Sequence, residues 1–195
     1  MRFATSSGDG IVFDIHQGTT YECLRGLRDG KFDVAFCGKL SNEPDISFTP
    51  MLTQNLVLGL HESHPLASRS MVSLEELHDY DLASYRSESY IRARVDHLFT
   101  PAGLEVKESF NDEISAASPV TAEKNTVAIM LNTLDDGFTD GFMHIPIKEA
   151  LEPFHVIYLA TMRGSSHNSA AEQLRDFAAG YIGYAPDTKV LEDLM

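Results

Sequence analysis

The sequence predicts an α/β fold with mainly parallel sheets, and three observations carry that expectation. Between Ile11 and Gly38, two apolar runs bracket a helix-like stretch. The same alternation of strand-like and helix-like segments continues to Ile182, as expected when strands are joined by helical crossovers. No apolar run approaches the ~18–20 residues of a membrane span, so the 43% of apolar residues serves a packed core.

The first unit opens with I-V-F-D-I, Ile11 to Ile15, whose β-branched and aromatic alternation predicts a strand. Gly18 ends that run. Thr19 followed by Glu22 makes a capping-box signature, and Tyr21, Leu24 and Leu27 give the helix an apolar stripe. Gly30 stands where a left-handed C-terminal residue is wanted. Phe32 to Cys37 then predicts a second strand, parallel to the first.

After the polar loop from Lys39 to Ser47 come the runs F-T-P-M-L and N-L-V-L-G-L, the second expected to carry the chain from one lobe to another. Val72 to Leu77 predicts a short helix that Ser73 can cap. Asp81 to Tyr85 predicts a strand. Ser87 or Ser89 starts a helix through Ile91, Val95, Leu98 and Phe99, which Pro101 and Gly103 stop. Leu104 to Phe110 predicts a strand, Ser115 to Glu123 a weak helix interrupted by Pro119, and Thr126 to Leu131 a buried strand. Phe142 to Ile147 and Phe154 to Thr161 predict two more strands. Asn168 to Ile182 predicts a helix with an apolar face at Ala171, Leu174, Phe177, Ala178 and Tyr181.

A chain of 195 residues holds one ordinary domain or two small lobes. The net charge of −14 opposes phosphate binding, so this chain is not expected to hold DNA by itself. Met1-Arg2 is followed by no apolar leader. Cys23 and Cys37 are the two cysteines, expected to be reduced, partly buried thiols.

The order of these segments resembles the effector-binding domain of LysR-type transcriptional regulators. Q-G-T-T at Gln17 to Thr20 stands at the family's second helix. L-R-D-G-K-F-D-V-A-F at Leu27 to Phe36 matches its leucine-x-x-glycine-x-leucine-aspartate-leucine-alanine-isoleucine pattern. H-E-S-H-P-L-A at His61 to Ala67, then V-S-L-E-E-L at Val72 to Leu77, match a later passage. The resemblance runs roughly from Phe13 to Ile182. It implies two Rossmann-like lobes around a central cleft, a type 2 periplasmic-binding-protein-like fold. Lobe I would comprise residues 1–58 and 162–195, and lobe II residues 59–161.

The resemblance further implies a cytoplasmic, non-catalytic domain that senses a small-molecule effector, without cofactor or metal. DNA would be reached only through a domain absent from this chain. G-D-G at Gly8 to Gly10 leads directly into Ile11, leaving no room for the family's first helix. That helix is a main contact of the family's homo-oligomer, so a weakened dimer is expected. A free-standing solute-binding protein of the same plan is the alternative reading, and an enzyme using the cleft is a third.

Candidate ligand residues lie at helix starts, where free amide groups favour an anionic effector. Thr19 and Thr20 are the first such pair, with simple helix capping as the competing role. Thr5 and Ser6 match the small hydroxyl residues that follow the family's first strand. Ser87 and Ser89 stand at a strand-to-helix junction of the second lobe, where capping is again the competing role. The family's glycine-rich turn is replaced here by M-L-N-T-L-D-D-G-F. Asp135, Asp136 and Asp140 lack the spacing of a calcium loop. His61 and His64 precede Pro65, which disfavours a helical metal pair.

Overall fold

The computed structural model describes residues 12–123, 125–132, 141–164 and 169–181. Its contacts divide the chain into two compact units, residues 1–53 with 156–195, and residues 54–155. Both crossings come earlier along the chain than the limits at 58 and 161 expected from sequence. The first falls inside the strand Ile46–Gln54, not in the following N-L-V-L-G-L run.

In the first unit, helix α1 (Thr20–Arg28) leads to strand β1 (Ala35–Cys37), and β2 (Ile46–Gln54) follows. Strand β8 (His155–Met162) lies between them in a sheet ordered β1-β8-β2. The β1 and β8 strands are antiparallel, with Phe36 opposite Leu159. Leu24 and Leu27 of α1 pack with Ala35, Cys37, Ile46 and Ala160, while Met51 and Leu159 join Ala178 of the last helix, Ser169–Tyr181. Gly26 is required here for space: a Cβ on it would lie 2.2 Å from the Phe32 ring.

The strand expected over Ile11 to Ile15 is corrected. Residues 12–15 belong to no strand, and Val12 and Ile15 are 91% and 85% exposed. Alternation produces a strand only where a sheet edge supplies backbone partners and a core covers one face. Here Val12, Phe13, Asp14 and Ile15 are all exposed, and β1 pairs antiparallel with β8. The expected strand–helix–strand unit is therefore helix–strand across the described residues.

The second unit holds a five-stranded mixed sheet. Its strands are β3 (Leu56–His61), β4 (Asp81–Tyr85), β5 (Val106–Phe110), β6 (Thr126–Leu131) and β7 (Phe142–Pro146), in the order β5-β4-β6-β3-β7. The parallel pairing expected from the sequence forms one half, with β4 parallel to both β5 and β6. Strand β3 runs antiparallel to β6 and β7. Every residue of β6 is buried, as expected for a strand covered on both faces.

Helix α2 (Tyr90–Phe99) links β4 to β5, and the short α3 (Ala117–Ala122) links β5 to β6. Ile91, Val95 and Phe99 face the core. Gly103 adopts φ +73° at the end of the following turn, the left-handed conformation that lets the chain reverse toward β5. Ser73 and Glu76 frame the 3₁₀ turn Leu74–Leu77, with the Glu76 carboxylate accepting from both the Ser73 amide and hydroxyl. Among the described residues, no helix is long and apolar enough to cross a membrane.

Candidate ligand-binding site

In an α/β sheet the carboxyl ends of parallel strands, at the point where connections diverge to opposite sides, form the usual ligand crevice. Strand β4 is that point in the second unit. Its helical connection leads to β5 on one side, and β5 then connects across to β6 on the other. The carboxyl ends meeting there are Tyr85, Phe110 and Leu131.

The ground beneath that edge is tied together by side chains. Tyr85 is buried, and its hydroxyl donates to Glu113 Oε1 at 2.5 Å while accepting from the Leu131 amide at 2.8 Å. Burial, reinforced by the neighbouring Glu113 charge, raises the phenol well above its ordinary pKa. The Tyr85 and Phe110 rings meet edge-on at 5.0 Å. Arg92 donates to the carbonyls of Tyr85 and Val106 at 3.0 and 2.5 Å, and to Asp96 at 2.8 Å.

Above this edge, the turn from Arg86 to Ser89 delivers α2. Ser89 is the N-cap, in extended backbone, yet its hydroxyl makes no capping bond, and the first turn carries no acidic residue. The leading amides of α2 are thus not occupied by a side chain of their own cap, and a helix start of this kind attracts an anion. Ser87 is exposed and Ser89 half-buried.

The first unit uses its helix start differently. Thr19 closes a reciprocal box with Glu22: the Glu22 amide donates to the Thr19 hydroxyl at 3.3 Å, and the Thr19 amide donates to Glu22 Oε2 at 2.8 Å. The Thr19 amide, then its hydroxyl, hold the Glu22 carboxyl below its usual pKa. The α1 start therefore already carries the protein's own carboxylate. The Thr20 hydroxyl accepts from the Gly38 amide at 3.2 Å, fixing the helix start to the end of β1. A cavity of about 220 Å³ runs along another part of α1, lined by His16, Gly18, Glu22, Arg25 and Phe32 among others, but by neither Thr19 nor Thr20. Thr5 and Ser6 lie outside the described residues, as do Asp135, Asp136 and Asp140. Ser87 and Ser89 share one turn of the second unit, and Thr19 and Thr20 one helix start of the first.

A second polar cluster, missed by sequence reasoning, joins Gln54, Asn132 and His155. His155 Nδ1 lies 2.9 Å from Gln54 Oε1, and Gln54 Nε2 donates to the Asn132 carbonyl at 3.0 Å. Asn132 Oδ1 accepts from the Asn55 amide at 2.7 Å. The His155 ring stands 5.5 Å from that of Tyr90, the first residue of α2. Burial, then the charge of Arg94, push the imidazole down to about 4. Arg94 lies over the Phe154 ring at 4.7 Å. Among the described residues, no group of three or more histidine, cysteine or acidic side chains could hold a metal ion.

A divergent parallel edge with an open helix start defines the class: an α/β domain built to take a small ligand. The chain belongs to the LysR substrate binding domain family, whose model matches residues 6–182. It is 26% identical over 103 residues to the uncharacterized HTH-type transcriptional regulator YybE of Bacillus subtilis, covering 53% of this chain and 35% of that protein. It is 30% identical over 95 residues to the HTH-type transcriptional regulator cbl of Escherichia coli, covering 48% of this chain and 30% of that protein. The aligned stretch is thus about a third of these relatives' length.

Two solved structures share the fold. The effector binding domain of QuiR in complex with shikimate superposes with a TM-score of 0.78 at 27% identity, covering 93% of this chain and 87% of that one. The CcmR regulatory domain of Synechocystis PCC6803 in complex with 2-PG gives 0.78 at 17% identity, covering 95% and 90%. At 17% identity the second likeness speaks for the fold alone.

Proposed function

We propose that this chain is the effector-sensing part of a LysR-type transcriptional regulator and that it binds a small organic anion at the start of α2. The observation that carries the site is the uncommitted hydroxyl of Ser89 at the head of a ten-residue helix with no acidic residue in its first turn. Ser87 and Ser89 are the binding residues of this reading. Thr19 and Thr20 serve α1 itself, through Glu22 and Gly38. In the whole regulator, binding would bias the ensemble of a partner DNA-binding domain and so change transcription. The chain would act in the cytoplasm, by binding and not by catalysis. Its net charge of −14 supports leaving DNA contact to another domain.

Calorimetry with shikimate and with 2-PG, the ligands of the two neighbours, tests the reading. The parent chain is expected to bind at least one of them saturably. Ser89→Asp supplies a good N-cap, so folding is retained, but it places a carboxylate in the anion position. Binding is expected to fall tenfold or more, the factor given by ~1.4 kcal/mol of lost interaction. Equal affinity of Ser89→Asp and parent would place the site elsewhere.

A further inference from the structure

The cavity along α1 is lined by neither Thr19 nor Thr20, and it has a chemistry of its own. Glu22, Arg25, Gly26 and Asp29 all line it, at the i, i+3, i+4 and i+7 positions that share one face of a helix. The chain closes around that face from both ends, with His16 before the helix and Phe32 after it. The His16 and Phe32 rings stand 5.4 Å apart, tilted by 36°. Gly26 lets the Phe32 ring lie against the helix backbone, because a Cβ there would sit 2.2 Å from it. The wall is therefore an aromatic pair, and burial keeps the neighbouring Cys23 thiol uncharged.

Charge singles out one residue of the rim. Lys31 pairs with Asp29 at 3.7 Å, and His16 Nε2 lies 3.2 Å from Asp14. The Glu22 carboxylate accepts from the Thr19 amide and hydroxyl. Arg28, the other basic residue in the last turn of α1, is bound to Glu43 and Asp45. Among the described residues, the Arg25 side chain makes no hydrogen bond or ion pair, although its charge is felt by Glu22 one turn back. A guanidinium fork is thus left unspent beside an aromatic wall.

We propose that this cavity is a second ligand site, belonging to the first unit, and that it takes a compact aromatic carboxylate. The ligand ring extends the His16–Phe32 pair, where offset or edge-on stacking favours a further aromatic partner. Its carboxylate takes the Arg25 fork, whose parallel N–H donors match two carboxylate oxygens. Size agrees: a cavity of ~150 Å³ admits benzene, and about 220 Å³ here leaves room for one ring with its carboxylate. One unpaired cation selects a monoanion, since the extra charge of a dianion would face Glu22 and Asp29.

Benzoate tests this, titrated by calorimetry into Ser89→Asp, in which the start of α2 is closed to anions. That variant is expected to bind benzoate saturably. A ring-proton resonance of His16, assigned by its loss in His16→Gln, is expected to shift along the same saturation curve. Benzyl alcohol, the ring without the charge, and acetate, the charge without the ring, are each expected to bind at least tenfold more weakly. Arg25→Gln places a good helix former at an exposed position, so folding is retained. Added to Ser89→Asp, it is expected to weaken benzoate tenfold or more and to leave benzyl alcohol unchanged. If thermal unfolding shows that Ser89→Asp does not fold, Arg25→Gln is compared with the parent, and the His16 resonance reports this site alone.

Absence of saturable benzoate binding in the Ser89→Asp chain would overturn the proposal and leave the effector reading at α2 standing. Equal benzoate affinity with and without the Arg25 guanidinium would do the same. So would a benzoate isotherm during which the His16 resonance stays in place.

Discussion

The Tyr85 hydroxyl and the Leu131 amide, 2.8 Å apart, join the carboxyl ends of two neighbouring parallel strands by a side chain where the backbone ladder has ended. The ladder between β4 and β6 runs from Asp81 to Ala83, and Tyr85 continues it in another form. Tyr85→Phe keeps the ring against Phe110 and deletes this link together with the bond to Glu113. It leaves the Leu131 amide buried without its acceptor, which costs about 1–3 kcal/mol. Urea unfolding is expected to show that loss with an unchanged slope. A midpoint equal to that of the parent would show that the bond contributes nothing.

The cap of α1 can be separated from any ligand role. Thr19→Ala removes the hydroxyl that accepts from the Glu22 amide and is expected to lower stability by about 1 kcal/mol. Ligand affinity, measured on the still-folded variant, is expected to be unchanged. A loss of affinity with stability intact would return Thr19 to the binding residues.

His155 imposes a pH dependence of known sign. Its folded pKa, about 4, lies below the ordinary histidine value of 6.5, so the unfolded chain binds the proton first. The resulting stability is present in full above about pH 6.5 and is lost as pH falls toward 4. At about 1.4 kcal/mol per pKa unit, the contribution is up to roughly 3 kcal/mol. His64, also lowered by burial, adds in the same direction. The stability of His155→Asn is expected to fall less steeply over this window than that of the parent. Parallel curves would mean that the ring protonates freely in the fold.

Both thiols are expected to be inert in the folded chain. Burial, then the Glu22 charge, raise Cys23 above its ordinary pKa, while burial pushes Cys37 up to about 12. The thiolate is the reactive form, so iodoacetamide at neutral pH is expected to modify neither until denaturant is added. Rapid labelling of Cys37 in native buffer would show that β1 opens readily.

Where signals are local, the sequence marks the fold to the residue. Asp81–Tyr85 and Thr126–Leu131 are strands with the boundaries read from their apolar runs, and Gly103 marks a stop because only its left-handed backbone fits there. Ser89 was legible as a cap position. That its hydroxyl makes no capping bond is a matter of geometry, which residue type does not encode. The His155–Gln54 pair was illegible for a different reason, since 101 positions separate its members and no local pattern announces a contact made by folding. Ile11 to Ile15 misled because strand propensity describes a fit to a half-buried surface, and Val12 and Ile15 have none.

Arg92 has a consequence for how the second unit breathes. One guanidinium holds carbonyls on β4 and β5 while its own backbone is part of α2. Helix and strand ends cannot fray one at a time without stripping a partly buried cation of its acceptors. Amide hydrogen exchange is therefore expected to find Tyr85, Val95 and Val106 opening together as one cooperative block, so that whatever steadies the head of α2 slows exchange along the sheet edge as well.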